Sequence, residues 1–211
     1  MSTLSSATAK TLLSRLGFRV NTEGRYKQAL RDFQAGWNLG TALEIDGLLG
    51  PKTSAALLIS EKQRSAGKGT ASAHFSFSEF ACKCGGAYTA CRRINGEGLP
   101  GHGKYVLRTL IQGLERTRAA YYPSGMSIVS GYRCDGHNKA VGGAISSQHR
   151  FGAAADISRV VDKDTLRAKH WFAGIGFQGS SDKVQHVDRR DISGVNPTKG
   201  TTSSPTTWKY S

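Results

Sequence analysis

The sequence predicts an α+β domain, an antiparallel sheet with flanking helices, preceded by a small three-helix domain. Three observations carry this. Apolar residues recur at helical spacing through residues 10–60. Residues 61–73, EKQRSAGKGTASA, hold no large apolar side chain. Beyond them, short strand-like and helix-like pieces follow one another without the strict alternation of a parallel α/β sheet. The predicted layout is a helical domain at 1–60, a flexible linker at 61–73 and the larger domain at 74–211.

Each element has a local reason. Leu12, Leu13 and Leu16 share a helix face, and Gly17 follows as a C-cap. A second amphipathic helix runs from Tyr26 through Ala29, Leu30 and Phe33 to about Trp37. In Ile45-Asp46-Gly47-Leu48-Leu49-Gly50-Pro51-Lys52-Thr53 the glycines mark a tight turn, and Pro51 suits the first turn of a third helix. In the larger domain, a helix is predicted from about Lys104 to Tyr121, with Leu107, Leu110, Ile111 and Leu114 on one face. Met126–Ser130 and Val184–Asp188 read as strands, and Asp164 to about Phe172 as a helix. The tail 196–211 is rich in Thr, Ser and Pro; Trp208 and Tyr210 are positioned to dock on the domain, with no catalytic signal.

Bulk properties exclude several classes. A chain of 211 residues, 38% hydrophobic and 21% charged, suffices for one ordinary domain and a small one. Its 26 glycines have no period, which excludes a collagen-like repeat, and no run of 18 apolar residues offers a membrane span. Met1–Lys10 is polar and lacks the apolar core of a signal peptide. Lys and Arg number 29 against 15 Asp and Glu, a formal net charge of +14. That balance implies an anionic partner: nucleic acid, an acidic membrane surface or an anionic wall polymer. The positive charges are spread rather than blocked, which suits an extended polyanion better than sequence-specific nucleic acid readout.

The chemistry concentrates in three segments. Ser147-Gln148-His149-Arg150-Phe151-Gly152-Ala153-Ala154-Ala155-Asp156 supplies a His and an Asp, with small residues between them that let the chain turn closely. Val184-Gln185-His186-Val187-Asp188 supplies a second His. Two His and one Asp form a three-ligand set for catalytic zinc, leaving the fourth position to water, whose pKa zinc lowers to about 7. Ser130-Gly131-Tyr132-Arg133 places an Arg at a strand end, able to hold a carboxylate or a developing oxyanion. Cys82, Cys84, Cys91 and Cys134 all lie in the larger domain. They are compatible with a second, structural zinc ion, with two disulfides, or with buried thiols.

Two resemblances follow from these residues. Ala29-Leu30-Arg31-Asp32-Phe33-Gln34, Ile45-Asp46-Gly47 and Gly50-Pro51-Lys52-Thr53 with Ala56-Leu57 resemble the small peptidoglycan-binding domain of bacterial and phage wall hydrolases. The resemblance implies that Phe33, Gln34, Asp46 and Gly47 hold the wall; a generic three-helix bundle with Phe33 and Leu49 in its core is the plain alternative. The run Ser147-x-His149-x-x-Gly152-x-Ala154-x-Asp156 follows Ser130–Arg133 and His137–Ala144 and precedes His186-Val187-Asp188. Over about residues 75–190 it resembles the zinc D-alanyl-D-alanine carboxypeptidase family, which includes the L-alanyl-D-glutamate endopeptidases of phage lysins. That resemblance implies zinc on His149, Asp156 and His186, with Arg133 polarising the scissile carbonyl or holding a substrate carboxylate.

One position departs from the pattern. Many members carry an acidic general base three residues before the second zinc His, where this chain has Lys183. Asp182, one residue further back, is the expected base, with Asp188 the other candidate. The expected protein is a monomeric endolysin-type peptidoglycan hydrolase, made in a host cytoplasm without a signal peptide and acting at the cell wall. Whether it cuts as a carboxypeptidase or an endopeptidase stays open. Lys183 motivates an alternative, a non-catalytic wall-binding or virion protein with a degenerate peptidase domain. A nucleic-acid-binding protein with a Cys₄ zinc knuckle rests on charge and cysteines alone.

Overall fold

A computed structural model describes residues 2–84, 106–192 and 200–210. Three helices open the chain: α1 (Ser6–Arg15), α2 (Glu23–Gly36) and α3 (Pro51–Ser65). Ser5 caps α1 by accepting from the Thr8 N–H, Thr22 caps α2 through the Arg25 N–H, and α3 begins on Pro51. The described part of the chain has no helix long and apolar enough to cross a membrane.

The expected flexible linker is not seen. Residues 61–65 are the last turns of α3, tied to α1 by Arg15 Nη1 donating to Glu61 Oε1 at 2.9 Å. Thr70, Ala71 and Ser72 are then buried. Ser60 Oγ donates to the Thr70 carbonyl at 2.9 Å, and the Asn38 N–H donates to Ala71 O at 2.7 Å. The small side chains that suggested flexibility instead let the backbone tuck under α2 and α3. The helices and the sheet share one hydrophobic core. Phe77, in a 3₁₀ turn at Phe77–Phe80, stands 5.1 Å from the ring of Phe18 and 5.5 Å from that of Phe33.

Two of the four residues expected to hold the wall are therefore structural. Phe33 is fully buried in the shared core. Gln34 is buried as a clamp on the loop before α3: its Nε2 donates to Asp46 Oδ1 (2.8 Å), Leu48 O (3.1 Å) and Thr53 Oγ1 (3.1 Å). Its Oε1 accepts the Gly47 N–H at 2.9 Å. The Phe-Gln, Asp-Gly and Gly-Pro-x-Thr letters thus specify one loop geometry from the inside.

The larger part follows with α4 (Arg108–Tyr121), β1 (Ile128–Ser130), α5 (Asp135–Ala140), β2 (Ala154–Ile157), α6 (Lys163–Arg167), β3 (Gly174–Gln178), β4 (Val184–Asp188) and β5 (Thr206–Tyr210). The start predicted for α4, Lys104, lies outside the described residues. Helix α6 is shorter than its sequence suggested. His170, at φ +56°, turns the chain so that Phe172 enters the core before β3. Strand order is β1-β2-β4-β3-β5. The first three pairings are antiparallel as expected, but β5 lies parallel to β3 at the edge. Both facts have one cause: β4 ends opposite Gly174, and β5 starts opposite Gly174 from the same end of the sheet, so the chain skips past β3. Ala155, Ile157, Ile175, Val184 and Val187 join Leu110, Ile111 and Leu114 of α4 in the core. The period-2 alternation of strands leaves the opposite sheet face for chemistry.

Replacing Gln34 by Leu keeps the volume but strips Thr53, Asp46 and the Gly47 N–H of their buried partner. Gln34→Leu is expected to lower the unfolding free energy by about 1–3 kcal/mol, read as a lower urea midpoint at unchanged slope. A loss below about 0.5 kcal/mol, the range of ordinary surface substitutions, would remove the clamp.

Candidate metal centre

Residues directly opposed in a sheet project from the same face. Here one row runs Ser130, Asp156, His186, Gly176 and Trp208 across all five strands. The next row runs Ala154, Asp188, Gly174 and Thr206. His149 joins them from outside the sheet, on a 3₁₀ turn at Gln148–Phe151. The three residues expected to bind metal therefore meet, although 37 positions separate His149 from His186.

Their donor atoms form a triangle. His149 Nε2 lies 3.1 Å from Asp156 Oδ1 and 3.1 Å from His186 Nδ1, and His186 Nδ1 lies 2.9 Å from Asp156 Oδ1. The outer atoms settle which nitrogens carry protons. His149 Nδ1 is 2.6 Å from the Gly131 carbonyl, which can only accept. His186 Nε2 is 3.2 Å from Asp188 Oδ2. Both proton-bearing nitrogens thus face outward, and two ring lone pairs and a carboxylate oxygen face one another. Such a set is repulsive unless a cation stands among them, and two imidazoles with one carboxylate suit zinc. In the absence of metal a proton takes that role. Burial lowers His186, but its hydrogen bonds to Asp156 and Asp188 prevail and raise it to about 9. Burial lowers His149 below its ordinary value. Burial alone would raise Asp156, yet its bonds to both imidazoles hold it far below the usual carboxylate range.

Around the triangle stands a second layer of contacts. Arg133 Nη2 pairs with Asp156 Oδ2, and Arg133 Nε donates to Ser130 Oγ at 2.9 Å. Asp188 is fully buried and takes Arg190 on both oxygens, Nε to Oδ1 at 2.9 Å and Nη2 to Oδ2 at 2.6 Å. Burial raises the Asp188 carboxyl, but His186 and Arg190 outweigh it and hold it at about 2. Asp188 is therefore the residue that orients His186, a role typical of carboxylates behind metal-bound imidazoles.

Asp182, the expected base, is not brought to this cluster. It sits in the tight turn between β3 and β4 at φ +53°, half-exposed, with Oδ2 3.2 Å from Lys163 Nζ. It is four residues from His186, about 13 Å along an extended strand. The short hairpin leaves no slack to fold it back. Lys183 forms a backbone bridge with Asp162 on the same side.

Sequence reasoning passed over the wall of the site. A cleft of about 480 Å³ is lined by Arg133, Ser147, His149, His186, Trp208 and Tyr210, among others. The ring of Trp208 lies 5.1 Å from that of His186, and Arg190 Cζ lies 4.6 Å over Trp208. This approach needs the bare backbone of β3. A Cβ on Gly176 would come within 2.9 Å of Trp208 Cε2, and one on Gly174 would collide with the Asp188 carboxylate. The available signal was the alternation Thr206-x-Trp208-x-Tyr210, which puts all three on one strand face. Of the cysteines, Cys82, Cys84 and Cys134 lie together elsewhere, and Cys91 is outside the described residues.

A sheet face bearing a two-imidazole, one-carboxylate donor set beside an Arg-lined cleft defines a hydrolytic metal site. In agreement, the family model Peptidase M15 matches residues 73–188, more than half of the chain. The chain belongs to the Peptidase M15 family and is a metallopeptidase of that zinc-dependent family. No curated protein matches it.

If Asp188 orients His186, Asp188→Asn is expected to weaken zinc binding about 10–100-fold, measured by chelator competition, with the circular dichroism spectrum retained. Asp182→Asn, away from the cluster, is expected to leave that affinity within about twofold of wild type. The opposite ranking would restore Asp182 to the site.

Proposed function

We propose that the protein is a peptidoglycan hydrolase of the endolysin type, which cuts a stem-peptide amide bond and is held on the cell wall by its N-terminal helices. The observation that carries this reading is the convergence of His149, Asp156 and His186 beside a cleft lined by both histidines and Arg133. Zinc bound there supplies an activated water and a Lewis acid for the scissile carbonyl. The chain's own residues do the rest. Gly131 O and Asp188 hold the two imidazoles with their lone pairs inward. Arg133 spans Asp156 and Ser130 and lines the cleft, where its cationic fork suits a substrate carboxylate or a developing oxyanion. Trp208 and Tyr210 form an aromatic wall against which a short peptide can lie.

The net charge of +14 supports approach to an anionic envelope, the expected place of action. Ile45 and Leu48 are exposed beside the Gln34-clamped loop, an apolar edge suited to wall contact now that Phe33 is accounted for as core. Holding the enzyme on its polymer raises the effective substrate concentration. The protein acts as a monomer in this reading, and the bond it cuts is named by its products.

One observation favours a second reading, a wall-binding protein with a degenerate peptidase domain. Among the described residues, the carboxylates touching the two histidines are Asp156 and Asp188, and both are tied to arginines.

Digestion of purified peptidoglycan, analysed by mass spectrometry, separates the two. Wild type is expected to release peptides with new termini, whose masses identify the bond, and His149→Ala to fall to background while still co-sedimenting with the wall. Binding without release by wild type at every pH from acid to alkaline would establish the degenerate reading instead.

A further inference from the structure

We propose that Cys82, Cys84, Cys134 and His137 form a second, structural zinc site. Of the four cysteines weighed from sequence, Cys91 lies outside the described residues, and the fourth position is assigned to His137. It stands independently of which bond the peptidase cuts.

The three sulfurs lie within 4.8 Å of one another. Cys134 Sγ is 4.0 Å from Cys84 Sγ, and Cys82 Sγ is 3.3 Å from His137 Nδ1. Tetrahedral zinc with Zn–S bonds near 2.3 Å puts its sulfurs about 3.8 Å apart. These separations fit that polygon, whereas a disulfide requires sulfurs about 2.05 Å apart and would strand the third thiol. Cys₃His is a common structural zinc set, and soft thiolates discriminate against magnesium and calcium.

Local structure explains why these four side chains converge. Cys82 and Cys84 flank Lys83 soon after Phe80, and both sulfurs lie at Cys134 while Lys83 reaches β1. Lys83 Nζ donates to the Val129 carbonyl at 2.6 Å. Cys134 is the N-cap of α5, and His137 follows one helical turn later on the same face. Backbone amides already point at the sulfurs: the Cys134 N–H at Cys82 Sγ and the His137 N–H at Cys134 Sγ, each at 3.4 Å. Amide donors of this kind are the outer layer that stabilises thiolates at a metal. The apolar packing here is small, Tyr132 and Cys134 with Cys82 and Cys84, and separate from the main core. A region with so little buried apolar surface gains most from a metal cross-link.

The site would also brace the catalytic centre. Cys134 directly follows Arg133, whose backbone N–H donates to His149 O at 3.0 Å, and Gly131 O holds the His149 ring. Zinc on Cys134 would thus pin the loop that orients both a ligand and the cleft arginine.

The test is bound zinc per chain by mass spectrometry of the full chain, purified under reducing conditions in metal-depleted buffer. Wild type is expected to carry two zinc ions; Cys84→Ser and His149→Ala one each; the double variant none; Cys91→Ser still two. His137→Ala is expected to lose one zinc or bind it at least tenfold more weakly. Because a Cys variant can misfold, wild type is tested directly as well. A mercurial that caps thiols should release one zinc and leave the other. Cobalt-loaded His149→Ala should show thiolate-to-cobalt charge-transfer absorbance, which the catalytic ligand set cannot produce. A single zinc in wild type that thiol capping leaves bound, or a thiol count in denaturant two short of the four cysteines, overturns the site. Zinc retained by His137→Ala but lost from Cys91→Ser overturns the assignment of its fourth ligand.

Discussion

The pairing of Asp156 with His186 across β2 and β4 sets where every other group at the metal centre stands. Side chains alternate along a strand, so a slip of one residue would turn the entire set into the core. Two constraints prevent it. Ala155, Ile157, Ile175 and Val187 must face α4, and each is buried. A bulge opposite Phe177 absorbs Gln185 as an extra residue, which keeps both Val184 and Val187 inward while His186 and Asp188 face the cleft. Bulges commonly re-aim a functional side chain in this way.

Electrostatics then explain the order of the contacts around the triangle. Three acceptor atoms at mutual distances of 2.9–3.1 Å repel one another. They are held there by groups that can do nothing else. The Gly131 carbonyl accepts only, so His149 must offer Nε2 inward. Asp188 is anchored by Arg190 and accepts from His186, so His186 must offer Nδ1. Arg133 occupies the second oxygen of Asp156 and leaves Oδ1 to the centre. The repulsion is thus built into the fold and is relieved by a cation, which is the sense in which the site is preorganised. The same anchoring makes Asp188 a weak proton acceptor, since its carboxyl is held at about 2.

What was legible in the sequence divides along local and non-local lines. His149 and Asp156 share one short segment whose small residues permit a close turn, and the His186-Val187-Asp188 strand declares itself by its letters; the three residues that meet could be named. Helix caps and the Pro51 start are likewise local. The rest depended on register and connection. Asp182 was chosen by its distance along the chain, but a left-handed turn sends it to Lys163. Trp208 sits beside His186 because β5 skips β3 and because Gly176 has no side chain, and neither follows from a Thr/Ser/Pro-rich tail. Residues 66–73 resemble a linker in composition because a backbone threaded between helices needs the same small side chains as a flexible one.

The segment from Ser130 to His137 shows how few residues join the His149–Asp156–His186 cluster to the cluster of Cys82, Cys84 and Cys134. Ser130 Oγ accepts from Arg133, Gly131 O orients His149, and the Tyr132 N–H donates to Phe80 O at 2.7 Å. Arg133 holds Asp156, while Cys134 and His137 belong to the sulfur cluster. Ser130, Gly131 and Arg133 serve the first cluster and Cys134 and His137 the second, so the two meet at the Arg133–Cys134 peptide. Phe80 ties the same segment to the core, and Phe77 in the same 3₁₀ turn packs against Phe18 and Phe33 of the helical part. Aromatic pairs of this kind contribute about 0.5–1.5 kcal/mol each beyond their burial. The N-terminal helices are therefore packed onto the scaffold that positions Arg133. A fused arrangement holds the helices at a fixed angle to the cleft, where a flexible tether would let them sample many. Gly36 makes this fusion close: the Phe77 ring and Val106 lie where its side chain would be.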